Sequence, residues 1–527
     1  MYPSGYKEDK IYSLKPTDGS GDLTFTRAST ATRVNADGLI ETASVLGTEL
    51  ISSTLINSNY DTFNEASVSG FHAIYSTSGT QRASTVDEIN FVNGKTYKVN
   101  IDVSVVSGSV PFLRAREAVA TNPTIFSGQL VDGSNVVTFT STSTFTGLLE
   151  FASTTASEYR VSNVSVKEVI TLNVPRIDYT GGGCGSLLLE KQSTNLATYS
   201  SEFDNAAWTK FNSSVTANST TSPDGTQNAE KLIALSINSD HGVYQIPSVT
   251  LGASYTYSVF AKAGEYNFLR IADGDGNGAF FNLSNGTIVG STSASPTIIS
   301  MGSGWYRCSM TAVTSGTTTL MAVVVCQNGT NAVFTGDGTS GIYIYGAQLE
   351  QSSYPTSYIP CPSSSSVTRL ADACATTGLS DVIGQTEGTM FVDVDLTHST
   401  TGTNSYLMQI YKGSGLRILI YRDGASGGLS YYFLQAATLF NYTSLISSNG
   451  VHKLAFAYKS GDSVFYIDGV QVDTDATTFS TFTSLSELHI GANFNPTQVE
   501  IGDYKYNQAI LFKTRLTNAE LATLTTL

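Results

Sequence analysis

The feature that most limits what this chain can fold into is a two-residue alternation of apolar and polar side chains, repeated in run after run. Thr96 to Val106, Tyr255 to Ala263, Ile342 to Ala347, Val451 to Tyr458 and Val464 to Ile467 all show it, built from β-branched and aromatic residues. Successive side chains of a strand point to opposite faces, so each run can turn one face to a core and the other to solvent. Gly, Asn, Asp and Ser separate the runs and make turns, through positive φ or through side-chain bonds to the backbone. A helix signal is confined to the C-terminus, where Thr517 and Glu520 form a T-x-x-E capping box ahead of Leu521 to Leu524. The sequence predicts an all-β fold with one short C-terminal helix.

An internal repeat organises the strands. Gly94 to Val105 (GKTYKVNIDVSV) is echoed by Gly252 to Ala263 (GASYTYSVFAKA), and Tyr159 to Glu168 (YRVSNVSVKE) by Ile342 to Glu350 (IYIYGAQLE). Opening and closing segments recur in the same order, which points to two β-sandwiches of one design. After a Ser-rich stretch, Pro360 to Ser366, Gly388 to Leu396 opens a third β-unit, which carries an Asp468-Gly469 dipeptide suited to a type I′ hairpin. The expected order is an N-terminal attachment segment (1–44), a first sandwich (45–170), a connector (171–194), a second sandwich (195–355), a linker (356–366) and a third sandwich (367–527). These are three tandem β-sandwich (jelly-roll) domains, the first inserted into the N-terminal connector. Loop-closure cost grows only logarithmically with length, so such an insertion is tolerable.

Charge narrows the partners. There are 28 Lys and Arg against 43 Asp and Glu, a net charge of −15, with no basic cluster. Phosphate-backbone binding needs clustered cations, so nucleic acid and anionic membrane surfaces are not expected partners. The longest apolar run, Leu320 to Cys326, falls far short of the roughly 20 residues that span a bilayer. Met1 to Asp18 contains no apolar signal-peptide core, so synthesis and folding in a cytoplasm are expected. The cysteines, at 184, 308, 326, 361 and 374, are odd in number and lack CxxC spacing, which argues against a disulfide framework or a zinc site.

Several motifs, taken in order, resemble segments of tailed-bacteriophage fibre and spike proteins. They are Phe25 to Glu41 (FTRASTATRVNADGLIE), Pro175 to Leu196 (PRIDYTGGGCGSLLLEKQSTNL), Phe203 to Lys210 (FDNAAWTK), Gly304 to Arg307 (GWYR), Gly336 to Glu350 and Tyr358 to Pro360. Residues 367–527 resemble a laminin-G/concanavalin-like sandwich, chiefly through FYIDGV and the closing helix, and the first sandwich, residues 45–170, resembles carbohydrate-binding modules. The resemblance implies a non-enzymatic virion structural protein, made in the host bacterial cytoplasm and joined to other virion proteins through its N-terminal region. Its implied ligand is a host-surface glycan. A purely architectural head or tail decoration role is the alternative, and a polysaccharide depolymerase a lower one. Linked glycan sites gain roughly 10²–10⁴ in avidity, so a homo-oligomer, with a trimer favoured, is expected. In such proteins the first two motifs stand close in sequence, which implies that Phe25 to Glu41 meets Pro175 to Leu196 in space.

The residues themselves show no catalytic constellation. Asp393 and Asp395 share one strand face, but the Glu-x-Asp-x-Glu pattern of laminarinase-type hydrolases is incomplete, with Thr397 at its last position. His72, His241, His398, His452 and His489 are scattered, and no G-x-S-x-G exists. Gly181 to Gly183 lacks the lysine and helix of a phosphate loop. Asp273, Asp275 and Asn277 occupy positions 1, 3 and 5 of a calcium loop, but Ser284 replaces the bidentate Glu. That loop reads first as a polar turn; an ion there would be structural, and no other cofactor is expected. Sugars stack on aromatic faces while amides and carboxylates take their hydroxyls, which selects Tyr421, Tyr431, Tyr432, Phe440, Asn441 and Tyr442 as the expected glycan contacts. Trp208 and Trp305 are expected to pack.

Overall fold

The structure is a computed structural model that describes residues 3–13, 19, 21–51, 55–56, 71–75, 82–85, 88–117, 124–153, 155–396, 403–412, 415–435, 437–482, 485–491 and 503–527. His398 and Thr397 lie outside them. The fold is all-β, and the chain forms two compact units: Ser44–Thr171, and a larger one built from Met1–Ala43 with Leu172–Leu527.

In the smaller unit, the strand Thr96–Ser107 lies between Gly133–Thr140 and Ser157–Ile170. In its other sheet, Phe112–Glu117 lies between Thr124–Gln129 and Phe145–Ala152. The alternation sends Tyr97, Val99, Ile101 and Val103 into a core shared with Leu113, Ala115, Leu149 and Phe151. The larger unit contains a sandwich with the same pairing. Ser254–Lys262 lies between Trp305–Val313 and Gly341–Glu350, and Phe268–Asp273 between Gly278–Asn282 and Met321–Cys326. In both sandwiches the echoed opening strand is hydrogen-bonded to the echoed closing strand.

The C-terminal sandwich has a nine-stranded and a seven-stranded sheet. Met390, Val392, Met408, Ile410, Ile418, Ile420, Phe456 and Phe465 fill the space between them. The helix Asn518–Thr525 starts at the expected capping box, and Leu521 seats it against Phe391, Ala457 and Tyr466. The N-terminal and connector segments do not stand apart as an attachment piece. Leu23–Thr26 pairs with Ala373–Thr376 at one side of the larger sheet, and Ser186–Leu189 pairs with Tyr504–Phe512 in the other. These short segments are strands of the sandwich, a pairing over hundreds of residues that no local pattern reveals. Val34 N–H donates to Asp178 Oδ2 at 2.9 Å, and Arg176 Nη1 donates to the Thr32 carbonyl at 3.3 Å, so Phe25 to Glu41 does meet Pro175 to Leu196.

What joins these segments is a buried ionic network. Asp372 accepts from Arg27 Nη1 at 2.8 Å through one oxygen. Its other oxygen takes Arg176 Nη2 and, at 2.8 Å, the Glu190 amide. Glu190 in turn binds Arg176 and Arg369, the latter at 2.8 Å, and accepts from the Ser357 amide and hydroxyl at 2.7 and 2.6 Å. The side chains of Arg27, Arg176, Arg369 and Asp372 are fully buried. Burial would raise the Glu190 pKa, but Arg369, Arg176 and the Ser357 donors hold it well below the usual carboxylate range. Just above this network, Ser193–Asn195 pairs with Val367–Arg369, tying together the two chain passages that lead into and out of the second sandwich.

Removing one partner from a buried ion group strands the others, at a cost of about 3–5 kcal/mol. Asp372→Asn should therefore lower the chemical unfolding midpoint strongly. Asp462→Asn, whose pairing with Arg515 is 57% exposed on the acid side, should change stability by less than about 1 kcal/mol. Equal effects from the two substitutions would contradict the assignment. Replacing Ser44–Thr171 by a short flexible linker should leave the larger unit cooperatively folded, read by circular dichroism and melting; an aggregated product would count against two separable units.

Candidate functional site

The expected glycan contacts are distributed by strand alternation, and the structure corrects several of them. Tyr431 is 1% exposed and Phe440 6%, both inside the C-terminal core, with the Tyr431 ring stacked on Phe456 at 4.2 Å. Tyr442 stacks on Tyr431 at 6.3 Å and packs against the same core. Tyr421 lies on the opposite face of its sheet, 7% exposed, against Tyr406 and Leu419. Tyr432 and Asn441 point to that opposite face too, paired directly across neighbouring strands, with the Arg417 guanidinium 5.3 Å from the Tyr432 ring. A ring held in the core offers no face to a sugar, so the six residues do not form one surface.

The second sandwich carries a stronger surface, one that the sequence reading missed. Of its two six-stranded sheets, the one that contains Phe268–Asp273 and Met321–Cys326 faces the core with Val243, Leu269, Ile271, Phe281, Val323 and Val325. The alternate residues therefore lie on the outer face. Phe211, Tyr244, Phe268 and Phe280 are only partly buried there, around a floor of Ala272, Ala322, Val324 and Cys326. Register places Phe211 beside Gly242, Gly242 beside Val324, Val324 beside Arg270 and Arg270 beside Phe280, one row across five strands. Two glycines in this face make room for flat side chains. A Cβ at Gly242 would stand 2.7 Å from the Phe211 ring, and one at Gly278 would stand 3.0 Å from Arg270 Nε. A readable signal was present: Phe280 and Phe281 are adjacent in a strand, so one of them must leave the core.

The electrostatics of this face are unusual. The Arg270 guanidinium lies 5.4 Å from the Phe280 ring centroid, a cation–π contact. Its Nε is buried without a hydrogen-bond partner, and so is Asp240 Oδ1. Burial pushes the Cys326 thiol up to about 12, with Arg270 lowering and Asp240 raising it by smaller amounts, so both charges act on the same sulfur. Among the described residues the two form no salt bridge. An aromatic platform with an unpaired cation can stack a ring and bind a polar group at its edge.

The other candidate groups are internally satisfied. A cavity of about 150 Å³ lies where the Thr32–Val34 and Arg176–Asp178 strands meet the second sandwich, lined among others by Asp178, Glu190, Arg307, Asp503 and Lys505. Asp178 is paired with Lys505 at 2.8 Å, and Arg307 donates to the Thr356 carbonyl at 2.6 Å. Asp503 is pushed up to about 6 by burial and accepts from the Tyr354 hydroxyl and the Lys191 amide. In the calcium-like loop, Asp273 is buried and already accepts from the amides of Asp275 and Asn277 at 2.9 and 3.0 Å. Among the described residues no three His, Cys, Asp or Glu side chains gather as metal ligands. Asp393 accepts from Asn507 Nδ2 at 2.8 Å. Trp208 and Trp305 are 1% and 2% exposed, each donating to a backbone carbonyl at 3.0 Å.

Ser448, His452 and Asp468 stand in hydroxyl–imidazole–carboxylate order, with His452 Nδ1 2.7 Å from Asp468 Oδ2. However, His452 Nε2 is as close to the Ser448 carbonyl as to its hydroxyl, 3.2 Å in each case. A carbonyl calls for an N–H, and an N–H cannot take the serine proton. The Asp468 hydrogen bond raises the His452 pKa against the opposing effect of burial, which favours the doubly protonated ring. This group is a cross-link between a loop and the Asp468-Gly469 hairpin.

No family model matches the sequence, and no curated protein does. Among solved structures, the chain is similar to the carbohydrate-binding module CBM40 of a Ruminococcus gnavus IT-sialidase, with 12% identity over 27% of this chain and 84% of that one, at a TM-score of 0.24. It is similar to domain 4 of AbnA, a GH43 extracellular arabinanase from Geobacillus stearothermophilus in complex with arabinotriose: 17% identity, 31% and 78% coverage, TM-score 0.25. It is also similar to domains LG4-5 of the mouse laminin α1 chain: 12% identity, 52% and 84% coverage, TM-score 0.18. Likeness at this level assigns neither a family nor a ligand.

The His452 cross-link has a pH signature. Its folded-state pKa is raised, so its stabilising effect is fully present below the unfolded value of about 6.5 and fades as pH rises through the folded value. The stability difference between wild type and His452→Gln should be largest near pH 5 to 6 and shrink in alkaline buffer, as read by urea unfolding. A difference that grows with pH would contradict the charged cross-link.

Proposed function

We propose that the protein is a non-enzymatic structural protein of a tailed-phage virion, a fibre, spike or appendage, and that its second sandwich binds host-surface glycan. The virion reading is supported by the ordered motifs from Phe25 to Pro360. The glycan reading is carried by one observation: Phe211, Tyr244, Phe268 and Phe280 share an outer sheet face with Arg270, which has no ion-pair or hydrogen-bond partner among the described residues. Aromatic faces bury the apolar side of a pyranose, and polar groups at their edges fix its orientation. A homo-oligomer, with a trimer favoured, would present several such faces to one cell surface. The non-enzymatic reading is supported by the bonding of Asp393 to Asn507 and of His452 to the Ser448 carbonyl.

A glycan array probed with the full-length chain tests the proposal. Binding to at least one host-type oligosaccharide is expected, with Phe280→Ala weakening it by about tenfold or more, roughly 1.4 kcal/mol, while the melting temperature stays close to wild type. Asn441→Ala, on the C-terminal sandwich, should leave binding unchanged. An array with no binding would favour the purely architectural role, and loss through Asn441→Ala alone would move the site to the other sandwich.

A further inference from the structure

We infer that the glycan taken by this face is anionic, and that Arg270 reads a carboxylate on it. The inference rests on the glycan reading above and narrows its substrate class. The arginines around the junction show what this chain does with a guanidinium it uses structurally. Arg27, Arg176 and Arg369 each face a carboxylate at hydrogen-bond distance, and Arg307 holds a backbone carbonyl at 2.6 Å. Arg270 has neither kind of partner among the described residues, and it is this that sets it apart, since the Nε atoms of Arg176, Arg307 and Arg369 are buried unpaired as its own is. The buried Nε is out of a ligand's reach, so the terminal nitrogens of Arg270 are the donors that a ligand would meet.

The orientation of the group points the same way. Arg270 lies over Gly278 and against Phe280, which fixes the plane of its fork and lowers the entropy lost on binding a planar acceptor. A carboxylate matches that fork with two parallel charge-assisted bonds, whereas a sugar hydroxyl offers one neutral acceptor. Lys210, the cation closest in sequence to Phe211, is committed elsewhere, donating to the carbonyls of Asp204 and Asn205 at 2.8 and 2.6 Å. The carboxylate could belong to a hexuronate or to an acidic nine-carbon sugar, and both present the same planar anion.

Calorimetry on the full-length protein at low salt separates these cases. The probes are galacturonate oligomers against their methyl esters, and a glycan ending in an acidic nine-carbon sugar against the same glycan without it. At least one acid should bind about tenfold more tightly than its neutral counterpart, the worth of a charge-assisted hydrogen bond, and the pair showing the preference identifies the sugar. Arg270→Gln should reduce that preference to within about twofold while retaining the weaker binding of the neutral probe, and added salt should reduce it in wild type. Equal binding of acid and neutral probes would overturn this inference and leave the glycan reading standing. Retention of the preference in Arg270→Gln would overturn it as well. Failure of every probe and of the wider array would remove both. Arg270→Lys, which keeps the charge without the fork, should retain folding and lie between the two.

Discussion

Asp372 and Glu190 hold this molecule's distant segments in register. Between them they draw in Arg27 from the N-terminal strands, Arg176 from the connector and Arg369 from the passage into the C-terminal sandwich. Taking these charges out of water costs several kcal/mol per ion, and only near-complete pairing offsets it. The pairing here is close to complete: each carboxylate accepts from two arginines and from at least one amide. An apolar junction would tolerate sliding of one segment against another. Three guanidiniums sharing two carboxylates do not, because each displacement leaves a charge unpaired.

That junction explains why the phage-like motifs look as they do. Arg27, Arg176 and Glu190 lie within FTRAS, PRIDY and LLLEK, so these segments carry the residues that lock the scaffold rather than residues that meet a ligand. Trp305 of the GWYR segment serves the same end, packing with Ile40, Phe260, Tyr345 and Tyr358. With the scaffold charges consumed internally, the groups available for recognition are those the fold leaves unpaired. On the outer face of the second sandwich Arg270 is such a group, set among four partly buried rings.

Much of the fold was legible. Alternation located the long strands, and the echo of Gly94 to Val105 in Gly252 to Ala263 gave two sandwiches whose opening strands pair alike. The capping box fixed the helix start at Thr517. Short segments such as Leu23–Thr26 and Ser186–Leu189 were not recognisable as strands of the last sandwich, since their partners lie hundreds of residues away and pairing leaves no local trace. The site was less legible for a related reason. Where both sheet faces carry aromatics, period two shows that Tyr431 and Tyr432 part company but not which of them enters the core. The same ambiguity hid Phe280, whose neighbour Phe281 is fully buried. Burial, not aromatic density, separates a binding face from a core.

We propose recognition on the outer face of the second sandwich, with the junction and the C-terminal core sealed by their own pairings. A crystal structure of the full chain soaked with a bound oligosaccharide tests it most directly. The expected result is a sugar ring over Phe280 with a polar group on Arg270. Density for the sugar beside Tyr432 and Asn441, or inside the cavity lined by Asp178 and Arg307, would contradict it.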